Sequence, residues 1–274
     1  MGTESKTKIN RLINQWITGT PSATSYLGDS GFGRDLLVKY KNSGWLEPFG
    51  RGAYIRSGDR VELLGALYTL QTQLALPVHV GGKSALELKG YAHYLSAKQK
   101  KVFLYGPRGL ILPSWFNEDR FGVKFVVTRT NLFPVDSQEG FTDFKDRDFS
   151  VRIAAPERAA MEMLHLVPKE VGFDESLLIM ENLVTLRPDV VQSLLTACRS
   201  VKVKRLFLYM AERHEHNWLS KLDLSKIVIG KGKRMSIPNG RFDAKYQITV
   251  PVNNKSSPGT SEKRLTVTVN NCKA

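Results

Sequence analysis

The stretch TPSATSYLGDSGFGRDLLVKYKNSGWLEPFGRGAYIR, residues 20–56, decides how the chain is read. Thr20-Pro21 has the form of a helix start, because Thr accepts at an N-cap and Pro fits a first turn whose N–H is unbonded anyway. A short helix is therefore expected over Ser22 to Leu27. Gly28-Asp29-Ser30-Gly31 follows as a turn of residues that tolerate left-handed backbone. A second helix opens at Arg34 with Gly33 as its N-cap, and Phe32 and Leu37 are spaced to clamp its start. Leu36, Leu37 and Tyr40 share one face of that helix, and Arg34, Val38 and Lys41 share another. Ser43-Gly44 ends it. Trp45-Leu46-Glu47 reads as a strand, Phe49-Gly50-Arg51-Gly52 as a hairpin turn with Arg51 at its tip, and Ala53-Tyr54-Ile55 as the returning strand. The pattern is a helix-turn-helix followed by a β-hairpin wing.

Working outward, Ile9, Leu12, Ile13, Trp16 and Ile17 follow helical spacing and predict a backing helix, capped by Ser5 or Thr7. A winged helix over residues 1–58 is expected, leaving 59–274 as a second domain. There, helices are expected over Val61–Leu74 and Lys83–Lys89, with strands at Val78–Val80, Lys101–Tyr105 and Phe121–Thr128. Asp136 to Asp148 reads as charged, exposed chain, and Arg147–Ile153 as an edge strand. From Pro156 the pattern turns helical, through Asp174–Leu186, Pro188–Arg199 and Val201–Asn217. It turns to β again at Lys226–Ile229, Tyr246–Val252 and Leu265–Val269, the last two joined by a loop over Ser256–Ser261. The fold class expected is α+β: an N-terminal winged helix-turn-helix and a mixed helical/β C-terminal domain.

Composition narrows the function. With 274 residues, 42% hydrophobic, the chain can build more than one core. Its 40 Lys+Arg against 26 Asp+Glu give a net charge of +14. Such an excess points to a polyanionic partner, usually nucleic acid. Cys198 and Cys272 have no metal or redox spacing, Met1–Lys8 lacks an apolar signal core, and no window is apolar enough to span a membrane. A cytoplasmic protein is expected.

A helix entering the major groove reads bases from its N-terminal residues, so Ser30, Arg34 and Val38 are the candidates for specificity. Arg34 could form a bidentate contact to guanine. Lys39 and Lys41 are placed for phosphates, as are the hydroxyls of Thr24 and Ser25, and Arg51 suits a minor groove or backbone contact.

Other chemistry is weakly represented. Gly81-Gly82-Lys83-Ser84 suggests a phosphate loop, but a P-loop needs glycine where Pro77 stands. His214 and His216, two apart, cannot share a metal as i, i+4 histidines do. Asp143-x-Lys145 and Asp243-x-Lys245 loosely match nuclease cores, without a placed upstream acid. No nucleophile, base and orienter come together. No catalytic residue, metal or cofactor is expected.

Ser43-Gly44-Trp45-Leu46 through Gly50-Arg51-Gly52-Ala53-Tyr54 resembles the N-terminal domain of AbiEi-type antitoxins of type IV toxin–antitoxin (abortive infection) systems. His79–Leu86, Tyr91-Ala92-His93-Tyr94, Pro156-Glu157-Arg158-Ala159 and Val201–Leu206 resemble the same family, in the same order. The resemblance implies a winged helix that binds inverted repeats upstream of its own operon, usually as two copies on the DNA, and represses it. It also implies a C-terminal domain that neutralises a nucleotidyltransferase-like toxin. From Arg199 to Lys245 twelve basic residues stand against four acidic ones, a local excess of +8. Lys202, Lys204, Arg205, Lys231, Lys233, Arg234 and Arg241 are accordingly expected to meet a second anionic partner: the toxin, its nucleic-acid target, or flanking DNA. Two other readings remain: a stand-alone repressor whose C-terminal domain oligomerises or senses a ligand, and a nuclease targeted by a winged helix.

Overall fold

A computed structural model describes residues 2–92, 100–230, 232, 234–235 and 240–251. The N-terminal part contains α1 (Gly2–Gln15), β1 (Ser22–Ala23), α2 (Thr24–Asp29), α3 (Arg34–Asn42), β2 (Leu46–Pro48) and β3 (Ala53–Arg56). The wing is the antiparallel pair β2–β3, in the register Leu46↔Arg56, Glu47↔Ile55 and Pro48↔Tyr54. Ile9 and Leu12 of α1 and Trp16 just after it are buried with Leu27, Phe32, Leu37, Tyr40 and Leu46, so one stripe from each element forms a small core. Phe32 and Leu37 are both 1% exposed, consistent with the expected clamp on α3. α1 begins at Gly2, so Ser5 and Thr7 lie inside the helix and neither caps it.

One local expectation fails at Thr20-Pro21. Instead of opening a helix, the chain stays extended, and Ser22 and Ala23 pair with Tyr54 and Ala53 of β3. Gln73, about fifty residues on, imposes this: its Oε1 accepts from the Ala23 N–H (2.8 Å) and the Ser22 hydroxyl (3.0 Å). The Thr24 N–H donates to Gly52 O, and α2 starts there. Tertiary partners override the local start signal.

The larger part is organised on a five-stranded sheet ordered β6-β5-β4-β8-β7. Its strands are β4 (His79–Val80), β5 (Lys101–Gly106), β6 (Lys124–Arg129), β7 (Phe141–Asp146) and β8 (Phe149–Ala154). β5–β6 and β4–β8 run parallel; β4–β5 and β7–β8 run antiparallel. α4 (Leu63–Thr72) packs on β8, and α5 (Gly82–Leu88) packs on β5 and on α7 (Pro156–His165). α6 (Glu118–Phe121) is a single turn capped by the Asn117 side chain, which accepts from Arg120 N–H. The helical part continues with α8 (Phe173–Glu181), α9 (Pro188–Ala197) and α10 (Val201–Arg213), α10 resting on α7 and α8. A small sheet follows, ordered β10-β11-β9, from β9 (Arg234–Met235), β10 (Arg241–Asp243) and β11 (Ile248–Val250).

Four further expectations are corrected. The charged run from Asp136 to Asp148 contains β7, whose Phe141 and Phe144 are half-buried, so alternation was hidden beneath the charges. β8 is therefore interior rather than an edge. The helix expected to reach Asn217 ends at Arg213, and Glu215 adopts φ +51. Lys226–Ile229 is not a strand: a 3-10 turn covers Leu224–Lys226, and the carbonyls of Val228 and Ile229 are taken by side chains of α10. Leu265–Val269 and the Ser256–Ser261 loop lie outside the described residues. Among the described residues no helix is long and apolar enough to cross a membrane.

Candidate nucleic-acid interface

The turn between α2 and α3 is closed by the Phe32 N–H donating to Leu27 O, and Gly31 takes φ +89 there, a conformation that costs glycine little. Burial of Leu37 and Tyr40 turns the opposite side of α3 outward, so Arg34, Val38, Lys39 and Lys41 are all exposed. Ser25 and Ser30 are exposed too, and Thr24 is half-buried at the start of α2. Arg51 projects from the wing between Gly50 (φ +107) and Gly52 (φ +95). Among the described residues, none forms an ion pair or side-chain hydrogen bond with Arg34, Lys39, Lys41 or Arg51. Four cations thus project from one helix and the adjoining wing with their donors unspent. That arrangement can neutralise phosphates and reach base edges.

The wing is not a loose flap. Phe49 in its hairpin turn is 4% exposed, its ring 5.9 Å from that of Trp115 and 6.5 Å from that of Phe121. The Arg120 guanidinium lies 4.1 Å from the Phe49 centroid. A Cβ on Gly50 would stand 2.8 Å from Trp115 Cβ, so only glycine fits. The winged helix is also tied to α4, whose Thr69 hydroxyl donates to Pro21 O and after which Gln73 holds β1. Sequence reading missed Trp115, Arg120 and Gln73 as positioning residues. Their signal is contact across 50 to 70 residues, which local spacing does not carry.

The basic C-terminal residues behave differently. Arg205 is 1% exposed and donates from Nε to Ile229 O, from Nη1 to Gly232 O and Gln247 O, and from Nη2 to Gly230 O. Lys204 is 5% exposed, with Nζ 3.1 Å from Val228 O. Lys202 Nζ donates to His165 O (2.7 Å) and Val167 O (2.8 Å); burial and the nearby Lys169 charge pull it below the usual lysine range. Lys204 and Arg205 are therefore no part of an exposed basic patch: the expectation is corrected because both ammonium and guanidinium are buried satisfying backbone carbonyls. Arg241 is exposed. Lys231, Lys233 and the Arg234 side chain lie outside the described residues.

The remaining motifs find structural places. Gly81 and Gly82 cross closely over α7: a Cβ on Gly81 would stand 2.1 Å from Glu162 Oε2, and Gly82, at φ +51, donates its N–H to that oxygen. The glycine pair accommodates a buried carboxylate. His214 and His216 approach Leu177 O (3.0 Å) and Met180 O (2.8 Å) on α8. Asp243 Oδ1 caps a turn by accepting from Tyr246 N–H, and Asp143 lies across from Arg152 on the paired strand.

Comparison with known proteins bears on the whole chain. Residues 5–97 match the model described as transcriptional regulator, AbiEi antitoxin N-terminal domain. Residues 99–251 match transcriptional regulator, AbiEi antitoxin, type IV TA system. No curated protein matches in sequence. Among solved structures, the Rv2827c protein from Mycobacterium tuberculosis is similar in fold, with a TM-score of 0.54 at 14% identity over 90% of this chain and 91% of that one.

Proposed function

The chain belongs to the AbiEi antitoxin family of transcriptional regulators from type IV toxin–antitoxin systems, and on that premise we propose that it represses its own operon through the winged helix and neutralises a cognate toxin through the region after residue 58. The observation that carries the DNA half is the face of α3 and the wing, where Arg34, Lys39, Lys41 and Arg51 stand exposed beside the apolar stripe that holds the helix in place. In this reading α3 enters the major groove. Arg34 contacts a base edge with Ser30 and Val38 beside it, and Lys39, Lys41, Thr24 and Ser25 meet phosphates. Arg51 follows the backbone or minor groove. Inverted repeats would seat two copies, one per half-site.

The toxin-directed half is supported by family membership and by the size of the second part. Its basic surface consists of residues such as Arg241, with Lys204 and Arg205 excluded by burial. The test uses the full chain in cells carrying the neighbouring toxin gene and a reporter driven by the chain's own promoter. Arg34→Ala with Arg51→Ala is expected to release the reporter and leave growth rescue intact. Continued repression would contradict the DNA assignment. Loss of rescue by a folded variant would contradict the separation of the two functions.

A further inference from the structure

Between the C-terminal end of α4, the β4–β8 strands and the loop over residues 130–138 lies a cavity of about 360 Å³. That is the size of a small-molecule site. One wall is apolar, built from Leu76, Pro107, Leu132 and Val135. The other carries charge. Arg152 and Arg158 both lie over the ring of Phe141, their Cζ atoms 3.9 Å and 4.1 Å from its centroid. His79 meets the same ring edge-on at 4.8 Å.

Among the described residues Glu162 is the one carboxylate lining this wall, and its oxygens are committed: Oε1 to His79 Nε2 (2.9 Å) and Arg158 Nε (3.0 Å), Oε2 to the Gly82 N–H. Burial alone would push the Glu162 carboxyl up, but His79 and Arg158 outweigh it and hold it below its ordinary value. Arg158, 8% exposed, also donates from Nη1 to Glu139 O. Arg152 donates from Nη2 to Gln138 Oε1. Glu162 pairs with Arg158 and not with Arg152, whose nearest carboxylate is Asp143 on the neighbouring strand, outside the cavity lining. Among the described residues, nothing accepts from Arg158 Nη2 or from Arg152 Nε and Nη1. Burial and the charge of Arg158 lower the Arg152 pKa, against the opposing pull of Asp143 across the strand pair.

We propose that this cavity binds a small organic anion, a carboxylate or phosphate monoester carrying an apolar body, with its charged head on Arg152 and Arg158 and its body against Leu76, Pro107, Leu132 and Val135. Guanidinium forks suit both head groups, and the ring of Phe141 holds the two forks in place. An anionic head would take up the guanidinium donors left open on this wall. The assignment is independent of the DNA and toxin roles.

The probes are benzoate and phenyl phosphate, their uncharged relative benzamide, and inorganic phosphate. They are titrated calorimetrically against the full chain, with its melting temperature followed in parallel. Benzoate or phenyl phosphate is expected to bind and raise the melting temperature, benzamide and inorganic phosphate to bind at least tenfold more weakly. Arg152→Gln, at an exposed position of β8, is expected to weaken the anion by roughly tenfold, as removal of one charge-assisted hydrogen bond implies. Binding of benzamide as tight as benzoate, or an Arg152→Gln variant with unchanged affinity, would overturn the charged-head assignment. Inorganic phosphate binding as tightly as phenyl phosphate would overturn the apolar body. Failure of both organic anions to bind the wild-type chain would overturn the site.

Discussion

Two basic helices in this chain use their cations in opposite ways. α3 carries Arg34, Lys39 and Lys41 on its exposed side, while α10 carries Lys202, Lys204 and Arg205 turned inward onto carbonyl oxygens. In sequence the two look alike, an amphipathic helix with a cluster of Lys and Arg. What separates them is what lies across from each. α3 faces open space beside the wing. α10 faces the carbonyls of Val228, Ile229, Gly230 and Gly232, none of which belongs to a strand among the described residues. Buried carbonyls must be satisfied, and the nearest long donors do it. Local charge density thus measures neither exposure nor partner binding.

The comparison breaks most sharply at Arg205. Arg205→Met leaves the carbonyls of Ile229, Gly230, Gly232 and Gln247 without their donor, and a loss of about 3–5 kcal/mol in unfolding free energy is expected by urea titration. An unchanged midpoint would mean that the guanidinium is a surface feature after all. At Gly50 the effect is smaller but reaches the DNA face. Gly50→Ala places a Cβ against Trp115 at a left-handed φ and is expected to cost roughly 1–3 kcal/mol, displacing the wing and weakening promoter binding in a gel-shift titration.

Smaller still is the acid limb of stability. Burial would raise the Glu157 carboxyl, but Arg187, donating from Nε, Nη2 and its backbone N–H, holds it lower. A carboxyl lowered in the folded state stabilises above its ordinary value of 4.5, and that stability is lost as pH falls below it through the folded-state value. Glu157→Gln is expected to cost about 1–2 kcal/mol at neutral pH and to flatten the decline of melting temperature on acidification. An acid limb identical to the wild type would remove this pair from the account.

Much of the fold could be read from residue spacing because the signals were local. The α1 stripe, Gly33 before α3, and the glycines around Arg51 each specify their own segment. Legibility ended where a distant partner decided the outcome. Gln73 turned Ser22–Ala23 from a helix start into a strand, β7 hid beneath the charges of 136–148, and Arg205 displaced the strand expected at Lys226–Ile229. The candidate DNA face was legible for the same reason as the winged helix: its exposure follows from the apolar stripe on the opposite side of α3. The cavity around Arg152 and Arg158 was not, since its residues come from segments spread over residues 71–162 and share no motif.

The most direct test of the contrast is the salt dependence of promoter-DNA binding by Lys39→Gln/Lys41→Gln, measured by fluorescence anisotropy beside the wild-type chain. Removing one lysine–phosphate interaction lowers the slope of log affinity against log salt by about one. A slope reduced by about two, with the melting temperature unchanged, is the result predicted. An unchanged slope would contradict α3 as the DNA-facing helix and direct the search to the basic residues beyond it.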